Sequence, residues 1–149
     1  MNNQSTIINL QFSGRKMFKS LMVKKNQTVF LTTESIYDKP HQQGEVEIRA
    51  VVMENGFLDL SGIIKIKKKA NMAEAFLRQK VLLVGQNSRA EARPELEIET
   101  DEVKASHAAS VGRIDEEEIF YLMSRGLSRS EAIELIVKAF LGGENEKQF

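Results

Sequence analysis

Two histidines, no cysteine and a dense run of carboxylates are the residues of this chain whose types and spacing invite chemistry. His107 stands in Ala105-Ser-His-Ala-Ala-Ser110, where small side chains let a backbone or a second subunit approach closely. Neutral imidazole ligates iron and can replace thiolate. The blander alternative is a histidine satisfied by hydrogen bonds at a strand end or a dimer seam. His41 lies in the polar turn Asp38-Lys-Pro-His-Gln-Gln-Gly44 and reads as an exposed loop residue. The absence of cysteine excludes disulfides, thiolate zinc sites, a cysteine nucleophile and a cluster held by the chain's own thiolates.

Glu95, Glu97, Glu99, Asp101 and Glu102 are numerous enough for acid/base work or a hard-metal site. Alternation with Leu96 and Ile98 instead puts Glu95, Glu97 and Glu99 on one outward, solvated face. Lys65, Lys67, Lys68 and Lys69 resemble a basic patch. Lys65 and Lys67 alternate around Ile66 as a strand's solvent face does, and no aromatics interleave for base stacking. The chain carries no glycine-rich phosphate loop, G-x-S-x-G elbow or H-E-x-x-H helix, so catalysis is unsupported.

The elements that must position these residues are short strands followed by two helices. Val29–Leu31, Val46–Met53, Phe57–Leu60, Ile63–Ile66, Val81–Val84, Leu96–Ile98 and Val103–Ala105 read as β-type runs, with turns expected at Gly44, Asn55-Gly56, Gly62, Gly85-Gln-Asn87 and Pro94. A short helix over residues 70–79 competes with an extended strand there. Many short strands over one apolar interior fit a sandwich, a barrel or a β-helix, and no repeat of fixed length is evident. After Gly112 the pattern becomes helical. Asp115 with Glu118 and Ser128 with Glu131 predict capping boxes, Gly126 a left-handed stop and Gly142-Gly143 the second helix end. The tail from Glu144 to Phe149 is expected to be mobile.

At 149 residues, 42% apolar and 28% charged, the chain is an ordinary globular length and composition. No apolar run is long enough for a membrane span, and the N-terminus lacks signal-peptide character, which points to the cytoplasm. Residues 1–80 hold 13 Lys/Arg against 7 Asp/Glu, and residues 81–149 hold 8 against 14, a split compatible with docking although two solvated faces explain it too. From Asp115 onward there are 8 acidic and 4 basic residues, which argues against reading the helix pair as a DNA-binding helix-turn-helix.

The stretches Pro94–Gly112 and Asp115–Gly126 resemble the end of the SufB/SufD family, scaffold proteins of iron–sulfur cluster assembly. Leu127–Leu141 is similar to the family's last helix, and Gly62–Ile66 with Val81–Val84 to its final β-helix rungs. The similarity runs from Val46 to Leu141, is strongest from Pro94 and is vague before Gly44. Family members are considerably longer, so the chain resembles their C-terminal part, whether as a short homologue or as a truncated one. The resemblance implies a mainly β fold, a truncated right-handed parallel β-helix over residues 1–112, with a C-terminal α-helical hairpin over 113–149. It implies a non-enzymatic scaffold that stably binds no cofactor, with at most a transient iron–sulfur cluster shared with a partner at His107. It further implies pairing with a SufB/SufD-like subunit or with itself, and docking of a SufC-like ABC-type ATPase on the hairpin through Phe120, Tyr121, Arg125 and Gly126. No nucleic acid or membrane partner is expected. Two positions depart from the family: Ala105 replaces a residue often cysteine in relatives, and Ala108 the glycine that usually follows the histidine. They argue against a metal site formed by this chain alone. The alternative reading is a small β-rich dimeric interaction protein with no cluster role.

Overall fold

The computed structural model describes residues 4–142. Eight strands follow one another: β1 (Gln4–Ser13), β2 (Lys16–Val23), β3 (Gln27–Tyr37), β4 (Gln43–Val52), β5 (Phe57–Ile66), β6 (Glu74–Leu83), β7 (Arg89–Ile98) and β8 (Lys104–Arg113). Successive strands alternate between two four-stranded parallel sheets, ordered β1-β3-β5-β7 and β2-β4-β6-β8. The result is a parallel β-solenoid of about three turns, followed by two helices, the mainly β architecture that the resemblance implied.

Alternation along each strand makes the interior. Val46, Ile48, Ala50 and Val52 of β4 face Leu58, Leu60, Ile64 and Ile66 of β5 in one buried cluster, while the residues between them meet solvent or the helices. The same alternation settles residues 70–79. Ala75, Leu77, Gln79 and Val81 are buried with period two, so β6 forms and the competing helix does not, because stacking against neighbouring rungs outweighs helix propensity.

A structural repeat is present that the sequence conceals. Phe57 pairs with Arg89, Lys16 with Glu45 and Glu74 with Lys104, offsets of 32, 29 and 30 residues, whereas Gln4 pairs with Gln27, an offset of 23. The first turn is shorter because only Gly14-Arg15 separates β1 from β2. Corner length varies while strand register holds, and residues before Gly44 belong to the solenoid as fully as those after it. One corner is set by asparagine: Asn26, Asn55 and Asn87 all take left-handed φ of 59°, 55° and 56°, and Asn87 donates to Asn55 Oδ1 at 3.1 Å.

Three expected turns lie inside strands instead. Gly44 falls in β4 because the Tyr37 hydroxyl occupies the space of a side chain there. Gly62 falls in β5, where the side chains of Gln79, Leu77 and Thr33 fill the corresponding space. Pro94 is tolerated in β7 because that strand is an edge and has a neighbour on one side only.

The helices are α1 (Glu116–Ser124) and α2 (Arg129–Phe140). Ser128 and Glu131 form the expected capping box. Asp115 caps α1 through the Glu117 amide at 2.8 Å rather than through a box with Glu118. Gly126, φ 103°, ends the first helix as expected, and Gly142, φ 100°, follows the second. Gly143 and the tail lie outside the described residues.

Candidate functional site

β7 and β8 are the last strands of their sheets, and both belong to the final rung. Each therefore presents an unpaired backbone edge at the same end of the solenoid. His107 sits near the middle of β8, in register with Leu77 of β6, which is 1% exposed. Paired residues of a parallel sheet share a face, so His107, Ala105, Ala109 and Val111 continue the interior face of β6. No described residue stacks above them, and His107, Ala109 and Val111 are exposed. Opposite, Ala90, Ala92, Pro94 and Leu96 of β7 continue the interior face of β5 and are half-buried. The site is thus an open rung of small side chains with one imidazole in it. The His107 side chain has no hydrogen-bond or ion-pair partner among the described residues. Among the described residues, no group of three or more His, Cys, Asp or Glu side chains is placed to hold a metal.

The carboxylate run behaves as alternation predicted. Glu91, Glu95 and Glu97 project outward from β7, and Glu99 beyond it accepts from the Lys67 ammonium at 3.4 Å and the Lys68 amide at 3.1 Å. Lys65 pairs with Glu34 at 3.0 Å, and Arg93 with Asp59 and Glu91. Hydrogen bonds from Gln11 and Lys65 hold the Glu34 carboxyl below the usual carboxylate range. Lys65–Glu34, Lys67–Glu99 and Arg93–Asp59 are ion pairs between neighbouring rungs, and Arg93–Glu91 lies within β7. His41 is exposed at a left-handed corner, φ 59°, with its amide donating to Asn71 O at 2.9 Å.

The residues expected to dock a partner lie at the exposed surface and the end of α1. Phe120 and Tyr121 are 73% and 56% exposed, and the Arg125 guanidinium lies 5.4 Å from the Tyr121 ring centre. Gly126 lies just beyond Arg125, at the end of the helix. Of α1's apolar stripe only Ile119 is buried, because α1 packs chiefly against α2. Between the helices runs a groove of about 590 Å³ lined by Asp115, Glu117, Glu118, Tyr121, Ile136 and Phe140 among others.

One linkage was not read from the sequence. Val137 and Leu141 of the α2 end bury themselves against Val51 and Val84 of the solenoid. Beside them Arg49 of β4 donates to the Phe140 carbonyl at 3.1 Å, pairs with Glu47 at 2.7 Å and lies 5.0 Å from the Phe18 ring centre. Lys80 also meets Glu47, at 3.4 Å. Burial pushes the Glu47 carboxyl up, but Arg49 and Lys80 outweigh it and hold it below the usual range. The available signal was Glu47 and Arg49 two apart on the outward face of β4; their partner in α2, 91 residues from Arg49, left no local trace.

Comparison with known proteins gives the same direction. The family description "SUF system FeS cluster assembly, SufBD core domain" matches residues 1–140, which includes the N-terminal part where the resemblance had been vague. The chain is 32% identical to the iron–sulfur cluster assembly protein SufD of Escherichia coli K12 over 139 residues, covering 93% of this chain and 33% of that protein. It is 37% identical to SufD of Bacillus subtilis 168 over 115 residues, covering 77% of this chain and 26% of that protein. An iron–sulfur cluster assembly SufBD family protein of Pyrococcus horikoshii is 39% identical over 104 residues, with 68% and 23% covered. The chain spans about a third or less of the length of these relatives. A solenoid whose last rung carries an exposed imidazole, matched over 140 residues by this family's core domain, belongs to the SufB/SufD family of iron–sulfur cluster assembly proteins.

Proposed function

We propose that this chain is a non-catalytic scaffold component of cytoplasmic iron–sulfur cluster assembly. Its open rung pairs with a SufB/SufD-like subunit or a second copy, and its hairpin docks an ABC-type ATPase. The observation that carries this reading is the coincidence of two free strand edges, small side chains and an unpartnered His107 in one uncovered rung. Edge strands pair readily with another chain, and small residues permit close approach. A cluster is cargo here. With no cysteine of its own, the chain contributes at most one imidazole, and the partner must supply thiolates.

Anaerobic reconstitution with iron and sulfide tests the reading. The chain alone is expected to stay colourless. Together with a cysteine-bearing SufB-like subunit it should form a complex that gains visible charge-transfer absorbance, and His107→Ala should reduce that absorbance while the complex persists. A stable brown species on the chain alone, or a complex indifferent to His107→Ala, would overturn the assignment of His107.

A further inference from the structure

We propose that Arg49 is a releasable clamp that seats the helical hairpin on the solenoid, so that the hairpin moves as a unit when the clamp opens. Among the described residues the seat's buried apolar members are Val51, Val84, Val137 and Leu141, with five half-buried apolar residues packed against them. Arg49 supplies the polar part. Its guanidinium, only partly exposed, meets a helix C-terminal carbonyl, a carboxylate and an aromatic ring at once. A cation at that end also meets the negative pole of the helix, and a guanidinium can bridge several acceptors where a lysine would reach one.

The link from β8 to α1 is only Ile114-Asp115, and Ile114 is tied to Leu83 O at 3.0 Å, which places the pivot at Asp115. Local opening of this kind draws on the least stable part of a fold. This clamp is a property of the chain alone and does not depend on what the hairpin binds.

Hydrogen exchange by mass spectrometry on the full chain tests it. Arg49→Met keeps the aliphatic stem and removes the bridge; Arg49→Lys keeps only the charge; Glu47→Gln loosens the bridge without touching the seat. Exchange in peptides covering residues 116–141 should rise on the order of tenfold for Arg49→Met and less for the other two, with β3 to β6 unchanged. If Arg49→Met fails to fold, Glu47→Gln decides. Unchanged hairpin exchange in the variants that fold, or an equal rise throughout the chain, overturns the clamp.

Discussion

Tyr37 shows how one buried group ties corner geometry to pH. Its ring is 1% exposed, and burial pushes its phenol up from 10 to about 12. Between those values the unfolded chain releases a proton that the folded chain keeps, so raising the pH favours unfolding. The contribution is fully present below pH 10 and is lost on the way to 12. Tyr37→Phe should therefore flatten the fall in urea midpoint across that window, and an unchanged slope would assign the fall to other groups. Gln79 is a second such residue. It is 1% exposed, yet neither atom of its amide has a partner among the described residues. Removing an unsatisfied buried amide while keeping its shape is neutral or favourable, so Gln79→Met should raise unfolding free energy by about 1 kcal/mol. Gly62→Ala should lower it by about 1–3 kcal/mol, since its new methyl meets Gln79 Nε2 and Leu77 Cδ2 at 2.6 and 2.7 Å. Both are read from urea denaturation.

The helical hairpin was the element most fully written in local sequence. Ser128, Glu131 and Gly126 fix its ends by hydrogen bonds within a few residues, so their spacing alone announces them. Ser128→Ala should cost about 0.5–2 kcal/mol and melt α2 first, seen as lost helical circular dichroism. Which apolar residues of the hairpin are covered was less legible. Phe120, Met123 and Leu135 carry the helical period expected of a buried face but remain exposed, because α1 leans chiefly on α2 and the buried contacts of α2 with the solenoid run through Val137 and Leu141. For ATPase docking, Glu117→Lys and Glu134→Lys should weaken capture of the cognate ATPase in a pull-down while circular dichroism stays unchanged. The two carboxylates line different grooves of the hairpin, Glu117 beside Tyr121 and Phe140 and Glu134 beside Leu135 and Gly126. Single substitutions then identify the docking side, and undiminished capture by the double variant removes the hairpin from the interface.

At the scale of the molecule the open rung dominates. A solenoid buries each rung under its neighbours, and the last rung keeps both strand edges and its inner face uncovered. Light scattering at micromolar concentration should report a dimer. Ala109→Asp, placed on the open inner face of β8, should return it to monomer with unchanged circular dichroism. A strictly monomeric wild-type chain would mean that the edges are managed without pairing. Among the described residues no helix is long and apolar enough to cross a membrane.

What the sequence determined by itself is what short-range physics encodes. Period-two burial marked Val46–Met53, Phe57–Leu60 and Val81–Val84 as strands, left-handed turns settled at Asn55-Gly56 and Gly85-Gln-Asn87, and capping chemistry bounded the helices. His107 stood out because its neighbours are small and the chain holds only one other histidine. Tertiary structure alone decided which strands stack. Parallel pairing joins residues about 30 positions apart through corners of unequal length, so register comes from rung-on-rung burial and hydrogen bonding rather than from a fixed repeat. It also decided that Gly62 makes room for Gln79, that Pro94 falls on an edge, and that Arg49 meets the Phe140 carbonyl. Each is a contact between distant segments, and only folding brings such segments together.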